Sequence, residues 1–295
     1  MPLHGQNVLL TGASMGIGER IARSLAKEGS NLILLARSED KLLSLKDQLL
    51  QQHPGIKVVY RAADVGSHEA VDAVIQSVIE EMGHIDILIN NASGARSRQC
   101  AATAQSPLQI TNVPRSNIQA GLALGAPNAF YDLKIGDIQT MISTNINGPM
   151  FVTHSVLNRS MVSRNSGTIL NITSVTGLEV PPFPGEAVYH SSKAAQEAFT
   201  NALRNELVGT DIKVLALRPG CVATNFHSLR VGHDKKMYDE FFEGYDPLVA
   251  EDVAGAAVYM LNQPLNISIK ALDMVASAQR SLTIFDRKWN ERHGN

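Results

Sequence analysis

Short apolar runs alternate with longer helical patterns along most of this chain, and this alternation strongly constrains its fold. The runs Asn31–Ala36 and Ile85–Asn90 are almost continuously apolar, as is typical of strands in a parallel sheet that is covered on both faces. The alternation predicts βαβ units. We therefore expect an α/β fold: a single doubly wound Rossmann domain over residues 1–295, with about seven parallel strands and helices on both faces.

The predicted strands are Asn7–Thr11, Asn31–Ala36, Lys57–Ala62, Ile85–Asn90, Thr168–Ile172, Ile212–Leu217 and Ser268–Met274. The predicted helices are Ile17–Glu28, Lys41–Gln52, His68–Met82, Ile138–Leu157, Tyr189–Val208 and Ala250–Met260.

Composition excludes several classes of function. The 26 basic and 28 acidic residues give a net charge of -2, which offers no general attraction to nucleic acid or to an acidic membrane surface. No run of about 18 apolar residues predicts a membrane span, and no secretion signal is visible. The two cysteines, Cys100 and Cys221, fit a reducing compartment, so we expect a cytoplasmic protein. The histidines show no metal-ligand spacing, so no metal is predicted.

A glycine-rich turn follows the first predicted strand and leads directly into a helix. It runs Thr11-Gly12-Ala13-Ser14-Met15-Gly16-Ile17-Gly18. Glycines allow a tight turn and a close approach to a pyrophosphate, while the helix N-terminus offers N–H groups and a positive dipole end. The strand before it and the helix after it favour a dinucleotide-binding loop. Its predicted cofactor contacts are Gly12, Ser14, Met15, Gly16, Ile17 and Gly18.

Arg37 and Ser38 follow the second predicted strand, where dinucleotide folds read the adenosine ribose. A carboxylate at this position accepts from the 2′-OH of NAD, whereas a guanidinium can pair with the 2′-phosphate of NADP. We therefore favour NADP over NAD as the cofactor. Ser38 is also the predicted cap of the next helix, whose first turn holds Glu39 and Asp40.

Tyr189 and Lys193 stand four residues apart on one face of a predicted helix. Bringing a tyrosine pKa from about 10 to near neutrality costs about 4 kcal/mol, and one positive charge at about 4 Å supplies a similar amount. Lys193 can therefore make Tyr189 a usable general acid or base. This pair alone is also common on solvated helix faces. Ser174, at the carboxyl edge of the sheet, favours a catalytic site, because its hydroxyl can bind a substrate carbonyl.

Six motifs in order resemble the motif set of the short-chain dehydrogenase/reductase family, and the likeness spans nearly the whole chain. They are Thr11–Gly18, Asn90-Asn91-Ala92, Asn145-Ile146-Asn147-Gly148, Ser174, Tyr189–Lys193 and Pro219-Gly220. The resemblance implies that Tyr189 is the general acid or base, Lys193 lowers its pKa and holds the nicotinamide ribose, and Ser174 orients the carbonyl. Asn145 would position a water in the proton relay.

Further cofactor contacts are implied by the same resemblance. Asp64 and Val65 would flank the adenine, and the stretch from Pro219 to Thr224 would cover the nicotinamide. The implied cofactor contacts outside the glycine-rich turn are Asp64, Val65, Asn91, Ala92, Tyr189, Lys193, Pro219, Gly220, Val222 and Thr224. The family likeness also implies a homodimer or homotetramer.

A narrower likeness points to the NADP-dependent 3-hydroxy acid and serine dehydrogenase branch, through Leu203–Leu207, Pro219–Phe226, Glu251–Ala254 and Asn266–Ile269. It implies a small 3-hydroxy acid or its semialdehyde as the alcohol/carbonyl substrate. Residues 225–247 would form a substrate lid, in which Arg230 could pair with a carboxylate. The alternative for Arg230 is a solvated lid residue.

The stretch from Ser93 to Ala120 departs from the family pattern. It follows Asn90-Asn91-Ala92 and is 28 residues long, with three arginines and no acid. Removing it joins Ala92 to Gly121 and shortens the spacing from Asn90 to Asn145 from 55 to 27 residues, which fits the family. Our hypothesis is an in-frame insertion, such as a translated intron in a eukaryotic gene. The rival interpretation is a genuine flexible lid.

Two functions remain open at this stage. The first is an NADP-dependent oxidoreductase that transfers hydride between nicotinamide and an alcohol or carbonyl. The second is a non-catalytic regulator that binds NADP(H) through the same fold, since a fold alone does not prescribe a function. The set Ser174, Tyr189, Lys193 and Asn145 favours the enzyme, and the interrupted motif after Ala92 favours the regulator.

Overall fold

A seven-stranded parallel sheet organises the protein, in the order β3-β2-β1-β4-β5-β6-β7. The computed structural model describes residues 3–91, 129–224 and 234–294. The strands are β1 (Asn7–Thr11), β2 (Asn31–Ala36), β3 (Val58–Ala62), β4 (Ile87–Asn90), β5 (Ser166–Ile172), β6 (Asp211–Pro219) and β7 (Ala271–Met274). The predicted doubly wound Rossmann fold is confirmed.

Helices cover both faces of the sheet. They are α1 (Gly16–Lys27), α2 (Glu39–Gln52), α3 (His68–Met82), α4 (Ile135–Ile142), α5 (Gly148–Val156), α6 (Val162–Arg164), α7 (Ala187–Glu206), α8 (Lys235–Phe242), α9 (Ala250–Leu261) and α10 (Trp289–His293). Short 3-10 turns lie at Phe130–Asp132 and Val175–Gly177. Among the described residues, no helix is long and apolar enough to cross a membrane.

Each face of the sheet has its own buried core. Apolar side chains of α1, α2 and α9, such as Leu25, Leu42 and Val253, pack on one face. Side chains of α3, α5 and α7, such as Ile75 and Val152, pack on the other. Burial on both faces explains why the strands are almost continuously apolar in sequence.

The predicted boundaries agree with the structure except in a few places. The last strand begins at Ala271 rather than at Ser268, although the carbonyl of Lys270 still accepts from the N–H of Ala216 on β6. Ala92, the 28-residue segment 93–120 and the first part of the predicted lid, residues 225–233 with Arg230, lie outside the described residues. The described part of the lid holds α8.

The helix predicted over Ile138–Leu157 is part of a longer helical stretch, from Ile135 to Arg164, that contains two π segments. The first π segment covers Ser143–Asn147 and is followed by Pro149. In a regular α-helix the N–H of residue 149 would bind the carbonyl of Asn145, but proline has no N–H and its ring would clash there. The π segment lies at the point where this α-type hydrogen bond is missing.

Replacing Gly18 by alanine should destabilise the protein. The added Cβ would lie 2.2 Å from the carbonyl oxygen of Gly12 and 2.6 Å from Nδ2 of Asn91, both in rigid surroundings. We expect a loss of about 1–3 kcal/mol in the free energy of unfolding, measured by urea denaturation. Gly255→Ala is the matched control, because this helical glycine in α9 has open space and the change should stabilise by about 0.5–1 kcal/mol. Equal effects of both changes would contradict the close approach at Gly18.

Candidate active site

All strands point the same way, so the loops after their carboxyl ends meet along one edge of the sheet. The turn after β1 contains Gly12 and Gly16, with φ of 68° and 58°, which is the left-handed region that favours glycine. Helix α1 begins at Gly16 after Met15, so its free N–H groups face this edge. Ser14 is half-buried, and Ile17 and Gly18 are buried against the core.

Asn91 fastens this turn to the strand beside it. Its Nδ2 donates to the carbonyl oxygens of Thr11 at 3.1 Å and Gly12 at 3.3 Å, while its backbone N–H donates to Thr11 Oγ1 at 3.0 Å. These bonds hold β4 and the turn after β1 together at the point where the strand order reverses. Open α/β sheets bind ligands in the crevice at this point.

The groups predicted to bind adenosine follow β2 and β3. Arg37 is half-buried directly after β2, and Asp64 follows β3 with its Oδ1 accepting from the N–H of Gly66 at 3.0 Å. Val65 is buried. Ser38 stands at the N-cap of α2 as predicted, but its hydroxyl makes no capping hydrogen bond. The hydroxyl of Ser38 is exposed instead.

Ser174 follows β5 and is buried at the start of a 3-10 turn. Its Oγ accepts from the N–H of Thr176 at 3.1 Å and donates to the carbonyl of Pro219 at 3.4 Å. The imidazole Nδ1 of His190 binds the carbonyl of Thr176 at 2.5 Å, which ties this turn to the first residues of α7. Ser174 is therefore held close to the helix that carries Tyr189.

Tyr189 and Lys193 are both buried on the inner face of α7, and Lys193 Nζ lies 6.0 Å from the centre of the Tyr189 ring. Lys193 Nζ donates to the carbonyl of Ile172 at 3.3 Å and to Gln196 Oε1 at 3.1 Å. Burial lowers the pKa of Lys193 from 10.5 to about 8, against a smaller opposing effect of the Glu197 carboxylate. The structure thus brings together the predicted phenol and ammonium.

Asn145 belongs to the same group of buried residues. Its Nδ2 donates to Ser192 Oγ at 3.1 Å, and Ser192 Oγ donates to the carbonyl of Tyr189 at 2.7 Å. The main-chain carbonyl of Asn145 accepts from Gln196 Nε2 at 2.5 Å. Hydrogen bonds thus connect Asn145 to α7 at two points, through Ser192 to the carbonyl of Tyr189 and through Gln196 to Lys193.

The segment predicted to cover a nicotinamide begins where β6 ends. Gly220 donates to the carbonyl of Met274 at 2.7 Å, and a Cβ on it would meet Gln279 Oε1 at 2.5 Å. Val222 is buried beside Leu248, and Thr224 Oγ1 donates to the carbonyl of Val222 at 3.4 Å. Pro219 is buried at the end of β6, so this segment leaves the sheet next to Ser174.

Ser192, Gln196 and Glu197 are site residues that the sequence reasoning missed. Helix α7 buries polar side chains along one face, at Tyr189, Ser192, Lys193, Gln196, Glu197 and Thr200. Their spacing of three or four residues was visible in the sequence, and a polar stripe on a helix that must pack against a sheet signals a buried network.

The residues present fit a dinucleotide. Gly12 and Gly16 provide the positive φ angles of a phosphate turn, Gly18 admits no side chain, and Lys193 presents a buried ammonium beside Tyr189. Within residues 3–91, 129–224 and 234–294, no group of three or more histidine, cysteine or acidic residues could hold a metal ion.

Comparisons with known proteins agree with this geometry. The family model of the short chain dehydrogenases matches residues 6–233. The chain is 34% identical over 272 residues to sulfoacetaldehyde reductase 2 of Chromohalobacter salexigens, covering 92% of this chain and 94% of that protein. It is 34% identical over 268 residues to the NADP-dependent 3-hydroxy acid dehydrogenase of Schizosaccharomyces pombe, covering 90% of this chain and 91% of that protein.

A solved structure is similar over nearly the whole chain. The closed form of serine dehydrogenase complexed with NADP+ aligns with a TM-score of 0.76 at 30% identity, and the alignment covers 95% of this chain and 98% of that one.

The buried ammonium of Lys193 should make stability depend on pH. The pKa of Lys193 is about 8 in the folded chain, whereas its ordinary value is 10.5. Between pH 8 and pH 10.5 the unfolded chain therefore binds more protons than the folded chain. The wild-type free energy of unfolding should therefore rise by about 3 kcal/mol relative to that of Lys193→Met between pH 8 and pH 10.5. Urea denaturation across this range measures the difference.

Lys236→Met serves as the control for this measurement, because Lys236 is an exposed lysine on α8. Its variant should follow the wild type at every pH. Parallel wild-type and Lys193→Met curves would show that burial does not affect the titration of Lys193.

Proposed function

Because the chain belongs to the short chain dehydrogenase family, we propose that it is an NADP-dependent oxidoreductase in which Tyr189 exchanges a proton with an alcohol or carbonyl substrate. The observation that carries this proposal is the buried grouping of Ser174, Tyr189 and Lys193 at the same edge of the sheet as the glycine-rich turn. The predictions of family, enzyme class and cofactor are confirmed by the family match and by relatives whose names include NADP.

Tyr189, Lys193 and Ser174 each have a separate role in the proposed reaction. NADPH, when bound, would supply the hydride for the carbonyl carbon. Tyr189 then gives its proton to the carbonyl oxygen in reduction, and takes it from the alcohol in oxidation. Lys193 favours the phenolate by its positive charge, and its third N–H group is available to a ribose hydroxyl. Ser174 holds the carbonyl, because its long 3.4 Å bond to Pro219 is readily exchanged for one to the substrate.

Arg37 supports the choice of NADP. It is half-buried at the carboxyl end of β2, where a guanidinium can pair with a 2′-phosphate and a carboxylate would repel it. Ser38, with its exposed hydroxyl uncommitted to helix capping, is placed to donate to the same phosphate. Gly12, Ser14, Met15, Gly16, Ile17 and Gly18 would hold the diphosphate.

We propose a small 3-hydroxy acid or its semialdehyde as substrate. Relatives of this chain are named for sulfoacetaldehyde, 3-hydroxy acids and serine. Each of these compounds carries an anionic group on a short carbon chain. Arg230 of the predicted lid is the proposed partner of that anion. We also propose a homodimer or homotetramer, which follows from the family likeness, and a cytoplasmic location, which rests on the two cysteines.

Replacing Tyr189 by phenylalanine separates the enzyme from the non-catalytic regulator. The change removes the proton donor and keeps the ring, so turnover of a semialdehyde with NADPH should fall by about 100-fold or more. NADPH binding, followed by nucleotide fluorescence, should be largely kept. Tyr259→Phe is the control, because it removes a hydroxyl from an exposed tyrosine on α9. A wild-type chain that binds NADPH and turns over no carbonyl would favour the regulator.

Deleting Ser93–Ala120 tests the insertion hypothesis. We expect the shortened chain to bind NADPH at least as tightly as the full chain, because the deletion joins Ala92 to Gly121 and restores the family spacing. Fluorescence titration of both chains with NADPH measures this. A large loss of binding on deletion would contradict an insertion and favour a genuine lid.

A further inference from the structure

Gln196 links the two parts of the candidate site that lie on different helices. Its Oε1 accepts from Lys193 Nζ at 3.1 Å, and its Nε2 donates to the main-chain carbonyl of Asn145 at 2.5 Å. Gln196 and Lys193 are each at least 93% buried, since their exposed fractions are 7% and 5%. Both bonds are therefore shielded from competing water, and they are strong for that reason.

The main-chain carbonyl of Asn145 lies in a part of the helix that departs from the α pattern. The residue four positions later is Pro149, which has no N–H. Asn145 lies in the π segment Ser143–Asn147, and its own side chain is bonded to Ser192. The amide of Gln196 reaches across from α7 and donates to this carbonyl.

Lys193 needs an acceptor that is neutral. A buried ammonium must be hydrogen-bonded, yet a carboxylate in direct contact would cancel the charge that acts on Tyr189. A primary amide accepts at one end and donates at the other, so a glutamine can bind an ammonium and a carbonyl at the same time. Leucine and methionine can do neither, and an ionised glutamate cannot donate.

We propose that Gln196 is a positioning residue for proton transfer: it fixes the Lys193 ammonium beside Tyr189 by anchoring it to the main-chain carbonyl of Asn145. Its effect on turnover rests on the proposed function, whereas its effect on Tyr189 does not. Without the amide, Lys193 keeps only the 3.3 Å bond to Ile172 among the described residues, and its charge is no longer held in place.

The test reads the ionisation of Tyr189 directly, without cofactor or substrate. Tyrosinate absorbance near 295 nm is followed during a pH titration, and the same titration of Tyr189→Phe is subtracted to isolate this one residue of the six tyrosines. In Gln196→Met, and in Gln196→Leu as a second variant, the Tyr189 midpoint should move up by about one pH unit, because the phenolate loses a fixed opposite charge.

Turnover gives the second measurement. The maximal rate of both variants should fall about 10-fold, and the pH at which oxidation reaches half its maximal rate should move in the same direction as the Tyr189 midpoint. Thr200→Val is the matched control: Thr200 is buried one turn further along α7, where its Oγ1 accepts from Asn171 Nδ2 and donates to the main-chain carbonyl of Gln196. The change removes these two buried hydrogen bonds and keeps both bonds of the Gln196 side-chain amide. Its midpoint should match the wild type.

The outcomes distinguish the two proposals. A Tyr189 midpoint that stays at the wild-type value in the folded Gln196 variants overturns the positioning role, whatever happens to the rate. A shifted midpoint in a chain that reduces no carbonyl would support the positioning role and overturn the proposed oxidoreductase. Circular dichroism melting shows that each variant is folded before it is titrated.

Discussion

The burial of one ammonium group determines how the candidate site is built. Lys193 is almost fully enclosed, and an enclosed charge is tolerated only where hydrogen-bond acceptors surround it. The carbonyl of Ile172 provides one acceptor at the end of β5, and Gln196 provides another within α7. Because these acceptors belong to different elements, the position of α7 on the sheet and the position of Lys193 are fixed together.

The fold and the glycine-rich turn after β1 could be predicted well from the sequence, because both depend on local patterns. Buried parallel strands require apolar runs, and a phosphate turn requires glycine where φ is positive, as at Gly12 and Gly16. The residues that follow each strand then meet at one edge by topology alone. Tyr189, Lys193 and Ser174 could be placed in the same way, since each occupies a defined point after a strand or on one helix face.

What could not be predicted depends on contacts between elements distant in sequence. Pro149 lies near the start of α5, where proline is well tolerated, so its presence does not predict the π segment Ser143–Asn147 before it. Ser38 begins α2 as its type suggests, but the structure leaves its hydroxyl free of the helix. Gln196 resembles any polar residue of an amphipathic helix until the opposite helix is in place beside it.

The hydrogen bonds of Glu197 keep its carboxylate from neutralising the positive charge of Lys193. Glu197 follows Lys193 by one helical turn, close enough for an ion pair, but Thr173 Oγ1 donates to its Oε1 and Arg218 Nη2 donates to its Oε2 at 2.8 Å. The carboxylate therefore acts on Lys193 only from a distance, where it opposes part of the effect of burial on the lysine pKa. With a neutral amide as its direct partner, Lys193 keeps a positive charge that can act on the phenol of Tyr189.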